Sequence, residues 1–290
     1  MLVIIYSSGF QITATWPVRA SQAWRMRAMG SNALASYIVL ACRQRPPTAH
    51  QCDRREFISE LKKQLPRALN HLKQGNIAPV DLAQASIGPG MSVFSSYSKI
   101  IESTGNHMSV RTALSLINQM LHQVLTEQET EFDSETRWAL AWFEQYGMAE
   151  GLFGDAETLC TAKDTTINGL VTAGIVSAHA GKVYLVKPEN LDEKWEPAAD
   201  KYMSIWKSAH YLIHLLDIAG ESEAASILRK LPNTTPESIR DLAYRLYQTC
   251  NQQGWSKEAL TYNGLIIAWP EISRLAQKGV GETKQSELNI

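Results

Sequence analysis

A chain of 290 residues is long enough for two domains, or for one large domain with extensions. Hydrophobic residues make up 44% and charged residues 20%, the composition of a globular protein with a buried core. A formal net charge of −1 excludes a whole-protein field that would draw in a polyanion.

That average conceals an asymmetry. Between Met1 and Gln51 the charged residues are Arg19, Arg25, Arg27, Arg43 and Arg45, with no Asp or Glu; all acidic residues follow. The cysteines, Cys42, Cys52, Cys160 and Cys250, are widely spaced and include no Cys-x-x-Cys pair. This spacing argues against a zinc ribbon or a disulfide scaffold and fits a reducing cytosol. Leu2 to Tyr6 is apolar, but it lacks a basic leader and is too short for a signal segment or a membrane span. A soluble cytoplasmic protein with no membrane partner is expected.

The first 45 residues read as strand. Leu2–Tyr6 and Phe10–Trp16 are β-branched and aromatic, Pro17 closes the second run, and Ala33–Cys42 forms a third. A basic loop from Arg19 to Asn32 lies between them. Two or three strands with no helix to cover them cannot form an independent sheet, so they are expected to be the edge of a larger one.

After Pro46-Pro47 the pattern becomes helical. Phe57, Ile58, Leu61, Leu65, Leu69 and Leu72 form a stripe that Gly75 ends, and Pro66 predicts a kink or two helices. Ile87-Gly-Pro-Gly-Met91 reads as a turn. A helix is expected from Val110 to Gln128. Asp133 or Ser134 then caps a helix carrying Trp138, Trp142 and Tyr146, which Gly147 ends. Asp155 is read as the cap of a second helix, and Asp164 as the cap of a third that stops at Gly174. Ile175–Val186 alternates about Ala180-Gly181 as a hairpin would, so three helices and a hairpin give a winged-helix outline.

Tyr202, Ile205, Trp206, Ala209, Ile213 and Leu216 make a further stripe. Thr235-Pro236 opens another helix, and Ser256 a last pair broken near Pro270. The polar tail after Gly279 is expected to fray. The fold class is therefore mainly α with a small β element. The segments are terminal strands (1–46), a helical region (47–130), a winged-helix-like segment (131–190), a C-terminal helical region (191–279) and a flexible tail (280–290).

Motifs for chemistry are sparse. No Gly-x-Gly-x-x-Gly and no P-loop is present, and Pro89 removes a donor from the nearest glycine-rich string. His210 and His214 stand four apart with Asp217 three further on, a spacing that could hold a metal. No Glu lies between them as in a zinc protease, and they flank an apolar stripe, which favours a packing or surface role. No Ser or Cys has the context of a nucleophile. In the winged-helix outline Thr165, Thr166, Asn168 and Lys182 are candidate DNA contacts. The third helix lacks Lys and Arg, however, so protein docking stays open beside DNA contact. Arg19, Arg25 and Arg27, interleaved with Trp16 and Trp24, could hold a phosphate backbone and stack on a base. The alternative is a solvated arginine loop folded over the rest of a sheet.

Several strings carry a resemblance. They are Gly9-Phe-Gln-Ile-Thr-Ala-Thr-Trp-Pro-Val18, Met29-Gly-Ser-Asn-Ala-Leu-Ala-Ser-Tyr-Ile-Val-Leu-Ala-Cys-Arg43, Arg55-Glu-Phe57, Asn76–Ala85, Ile87–Met91, Met108–Ala113, Thr136–Phe143, Asp241–Tyr247 and Tyr262-Asn263. Together they resemble the C-terminal region of the large adenine-specific DNA methylases and span nearly the whole chain. The resemblance implies transfer of a methyl group from S-adenosylmethionine to the exocyclic amine of adenine. The Asp-Pro-Pro-Tyr-type motif that holds that amine and the Phe-x-Gly-x-Gly-type cofactor turn do not occur here, nor does the family's cysteine-rich segment. No catalytic residue and no S-adenosylmethionine site carry over. The resemblance therefore implies strands left from a methyltransferase sheet, with the catalytic part absent. Met1 would then be an internal start, a split-gene product or the product of a frameshift. The expected function is DNA handling or scaffolding beside a possible separate catalytic half, inactive alone. A stand-alone helical, winged-helix interaction module without DNA affinity is the reading from another class, and a partially folded remnant is a third.

Overall fold

The computed structural model describes residues 1–19, 36–127, 131–191, 195–232 and 235–287, without the side chains of residues 17, 19, 36 and 279–287. The architecture is mainly helical with small sheets. The chain divides into two compact units, Met1–Glu127 and Gln128–Ile290.

The first unit opens with α1 (Leu2–Ser7), followed by β1 (Phe10–Arg19) and β2 (Ser36–Gln44). The strand expected at Leu2–Tyr6 is thus a helical turn. Leu2, Ile5 and Tyr6 pack on the core while Val3 and Ile4 stay exposed, which is a helical and not an alternating division. Tyr6 Oη fixes the turn by donating to the Ser98 carbonyl at 3.1 Å. β1 runs through Pro17 instead of ending there. A proline costs a ladder bond only where its nitrogen faces a partner strand, and a two-stranded ribbon has an open edge for it.

β3 (Cys52–Asp53) leads into α2 (Arg54–Gln74), capped by Asp53, whose carboxylate accepts from the Glu56 amide at 2.8 Å. Phe57, Leu61, Leu65 and Leu69 are buried along it, and Pro66 lies inside one continuous helix. α3 (Pro79–Ser96) starts on a proline and contains the whole Ile87–Met91 string, which corrects the expected turn. The physical reason is packing: Gly88 faces Thr15 of β1 so closely that a Cβ would overlap that side chain. A Cβ on Gly90 would lie 2.6 Å from Ile117 Cγ1. Burial of Met91, Val93 and Phe94 outweighs the poor helix propensity of Gly-Pro-Gly. β4 (Ile100–Ile101) pairs in parallel with β3, and α4 (Val110–Glu127) ends the unit as its periodicity predicts. Since α3 lies against β1, the ribbon is not without a covering helix; that expectation is corrected.

The second unit begins with α5 (Ser134–Tyr146), then β5 (Gly151–Leu152), α6 (Phe153–Lys163), α7 (Ile167–Thr172), β6 (Val176–His179) and β7 (Lys182–Leu185). The sheet order is β5-β7-β6, antiparallel throughout. Ala180 and Gly181 both take positive φ, 50° and 77°, so the hairpin turns where its alternation predicts. Two capping assignments change. α6 starts at Phe153, and Asp155 accepts the Tyr146 hydroxyl at 2.6 Å instead of capping. Asp164 closes α6 in the left-handed conformation, while Thr166 caps α7 by accepting from the Gly169 amide at 3.0 Å.

α8 (Ile205–Ala219), α9 (Glu221–Lys230), α10 (Thr235–Gln253) and α11 (Ser256–Glu287) complete the unit. α11 continues through Pro270, where two helices were expected, and through the tail expected to fray, as far as Glu287. The core is aromatic: Trp138 and Trp142 stack at 5.1 Å, and Phe143 meets Trp206, Trp255 and Tyr262 edge-on.

Candidate nucleic-acid interface

The β1–β2 ribbon presents two different faces. Residues alternate across a strand, and a bulge between Ile12 and Ala14 resets the alternation. Before the bulge, Ile12 is buried and its amide donates to Ser95 Oγ of α3 at 2.9 Å. Beyond it, Thr15 points at α3 while Trp16 and Val18 share the opposite face. Trp16 sits directly across from Val39, and Val18 across from Tyr37. These four are 53%, 48%, 48% and 56% exposed in the order Trp16, Val18, Val39, Tyr37. Ala41 and exposed Arg43 continue the same face along β2. An open groove of about 540 Å³ lies beside Thr13–Trp16, walled by Gln64, Ala68 and His71 of α2.

Not every arginine of the acid-free segment faces outward. Arg45 lies 4.3 Å over the Tyr6 ring and donates to the carbonyls of Ser95 and Tyr6, both at 2.9 Å, so its guanidinium is spent on tying the ribbon down. Arg19 ends β1 opposite Ser36. Trp24, Arg25 and Arg27 lie outside the described residues.

In the second unit, Thr165, Thr166 and Asn168 stand around the start of α7; Thr165 and Thr166 line a cleft of about 360 Å³ whose wall includes Glu135, Asp164 and Lys201. Thr166 spends its hydroxyl on the cap, whereas the Asn168 side chain is exposed. Lys182, on the hairpin, is ion-paired with Glu150. The structure thus brings Thr165, Thr166 and Asn168 to one helix end and keeps Lys182 on the sheet. Sequence reasoning misses Arg43 as a site residue, because only the strand register puts it on the Trp16 face.

His210 and His214 divide differently from a metal pair. His210 is buried, with Nδ1 against the Trp206 carbonyl at 2.9 Å and Nε2 against Tyr262 Oη at 3.1 Å. A carbonyl only accepts, so Nδ1 carries the proton and the Tyr262 hydroxyl donates to Nε2. Both ring nitrogens are occupied, and burial pulls the imidazole pKa down to about 4. Burial also pushes the Tyr262 phenol well above its usual range. His210 is therefore a packing residue, the reading its place beside an apolar stripe favours. Among the described residues no cluster of His, Cys, Asp and Glu could hold a metal.

The residues present do not fit S-adenosylmethionine at the one glycine-rich string. Gly88 and Gly90 lie within α3 and their open sides are filled by Thr15 and Ile117, which leaves no cradle for a ligand. The string serves helix packing, and no methyl-transfer step runs through it.

The second unit is, by its elements, a helical body carrying a three-stranded antiparallel sheet near its start. The chain belongs to the family described as Domain of unknown function (DUF8807), whose model matches residues 133–288. No curated protein and no solved structure matches it. No helix among the described residues is long and apolar enough to cross a membrane.

Proposed function

We propose that this chain is the C-terminal portion of an adenine-specific DNA methylase and that it handles DNA while another part performs the methyl transfer. The observation that carries the reading is the β1–β2 ribbon. It is built from two of the strings that resemble those methylases, it belongs to a segment with five arginines and no carboxylate, and it turns Trp16 and Arg43 to solvent. A surface of that kind attracts phosphate and offers a stacking partner. Arg19, Trp24, Arg25 and Arg27 would extend it, and S-adenosylmethionine would belong to the catalytic part. Fluorescence anisotropy of a labelled duplex at low and moderate salt tests the reading. Binding that weakens steeply with salt, and is lost when Arg19, Arg25 and Arg27 become Ala, is expected. Absence of binding at low salt, or methyl transfer by this chain alone, would remove it.

A second reading, a protein-docking module, has its own support. The order α5–β5–α6–α7–β6–β7 with β5 paired to β7 supports the winged-helix reading, yet α7 has no Lys or Arg and Lys182 is taken by Glu150. This favours protein over duplex as the ligand of residues 131–190. Tight duplex binding by that segment would count against it.

A further inference from the structure

We infer that the outward face of the β1–β2 ribbon binds unpaired nucleotides in preference to a duplex, stacking bases on Trp16 with Arg43 as the phosphate contact. The inference rests on the DNA-handling reading and names the state of the nucleic acid that it takes. Three observations carry it. Trp16 is half exposed on a strand and not on a loop, with exposed Val39 directly opposite, so an aromatic side chain and an apolar neighbour stand together on the outward face. Such a ring accepts the π-face of any base, and a base offers that face only when it is out of the stack. Arg43 lies on the same face, four residues along β2 from Val39, roughly 13 Å at strand rise, which separates the charged end from the stacking end. Charge then favours an anionic occupant: the first 51 residues contain arginines and no acid, and Arg43 is the described arginine that lies exposed on this face, Arg45 being engaged by Tyr6 and Ser95. The ribbon is two strands wide and supported from behind by α3 through Thr15–Gly88 and Ile12–Ser95, so it keeps its shape without a covering partner. A two-stranded ribbon can enter the major groove of a duplex, so the preference rests on Trp16, whose exposed ring can be stacked only by a base out of its helix.

The test uses the full chain with a fluorescently labelled oligothymidine, the same-length duplex and poly-glutamate as probes. The single strand is expected to bind at least tenfold more tightly than the duplex, with affinity falling as salt rises. Trp16→Ala is expected to weaken it at least tenfold and Trp16→Phe to restore most of that loss. Arg43→Glu is expected to weaken it and flatten the salt dependence, and it remains informative should Trp16→Ala disturb the ribbon. Equal binding of both nucleic acids, unchanged affinity in Trp16→Ala and Arg43→Glu, or poly-glutamate competing as well as the single strand would overturn the inference. Duplex binding without single-strand preference leaves the DNA-handling reading standing. Loss of all nucleic-acid binding, with or without dimerisation through this face, takes both down.

Discussion

The Asp133 carboxylate reaches across 72 residues of sequence to the Ile205 amide, accepting its hydrogen bond at 2.9 Å. The same carboxylate caps α5 by accepting from the Thr136 amide at 2.7 Å and the Thr136 hydroxyl at 2.8 Å. That hydroxyl oxygen in turn accepts from the Trp206 amide at 3.0 Å. One side chain and its neighbour therefore satisfy amides that lack a partner within the helix at two helix starts, those of α5 and α8. Asp133→Ala is expected to cost about 3 kcal/mol, since it removes a cap and orphans a partly buried amide. Asp133→Asn, which keeps an acceptor oxygen, is expected to cost about 1 kcal/mol. Urea denaturation followed by tryptophan fluorescence measures both; equal costs for the two variants would refute the shared-cap account.

The His210–Tyr262 pair predicts an acid-sensitive core. Burial lowers the folded-state pKa of His210 from 6.5 to about 4, so between those values the unfolded chain binds more protons. Stability from this group is then complete above pH 6.5, declines as pH falls, and levels off below pH 4, a loss of roughly 3 kcal/mol. Burial raises the pKa of Asp200, but the bonds it accepts from Lys207, the Tyr202 amide and the Trp195 indole together hold it below its ordinary 3.8, so it acts outside this window. Chemical denaturation at pH 7, 5.5 and 4.5 should show the decline, and His210→Phe should flatten it. A His210→Phe profile as steep as the parent's would assign the effect elsewhere.

Gly88 predicts a steric pair. Gly88→Ala forces its new methyl into Thr15, and the cost should be about 2 kcal/mol in the stability of the first unit. Adding Thr15→Gly should recover part of that cost, because the partner atoms are gone. A strictly additive double variant would show that the two residues are not coupled.

Ala180 is expected to be a site of easy gain. It holds φ +50°, a conformation that costs an L side chain about 1 kcal/mol and glycine very little. Ala180→Gly should raise the melting temperature slightly, and Ala180→Val should lower it. Differential scanning fluorimetry distinguishes the two signs.

Where periodicity is long and uninterrupted, sequence alone locates the element. α4 and α5 end within a residue or two of their predicted limits, and the hairpin turns at Ala180-Gly181. The failures share a cause, namely that local propensity loses to packing. Leu2–Tyr6 has strand composition but three inward residues at helical spacing, and Ile87–Met91 has turn composition but two close-packed glycines inside α3. Pro270 does not break α11, whose Leu265, Ile266, Trp269 and Ile272 are buried on both sides of it. Of the candidate interface, the aromatic Trp16 and the charge asymmetry are visible in the sequence. Arg43 is not, because its place on the same face as Trp16 depends on a one-residue bulge at Thr13 that no local pattern announces. The engagement of Lys182 by Glu150 is equally hidden, since the two are brought together by the pairing of β5 with β7.

The match to the family starts at Asp133, five residues after the second unit begins, and that residue is the one whose carboxylate joins α5 to α8. The family module and the physical module therefore have nearly the same border, and the first residue inside it is a keystone of its own helices. A segment bounded in this way carries its own aromatic core and is expected to fold without the ribbon. Residues 128–290 produced alone should unfold in one cooperative transition, followed by tryptophan fluorescence in urea; a broad or absent transition would show that the unit does not fold by itself.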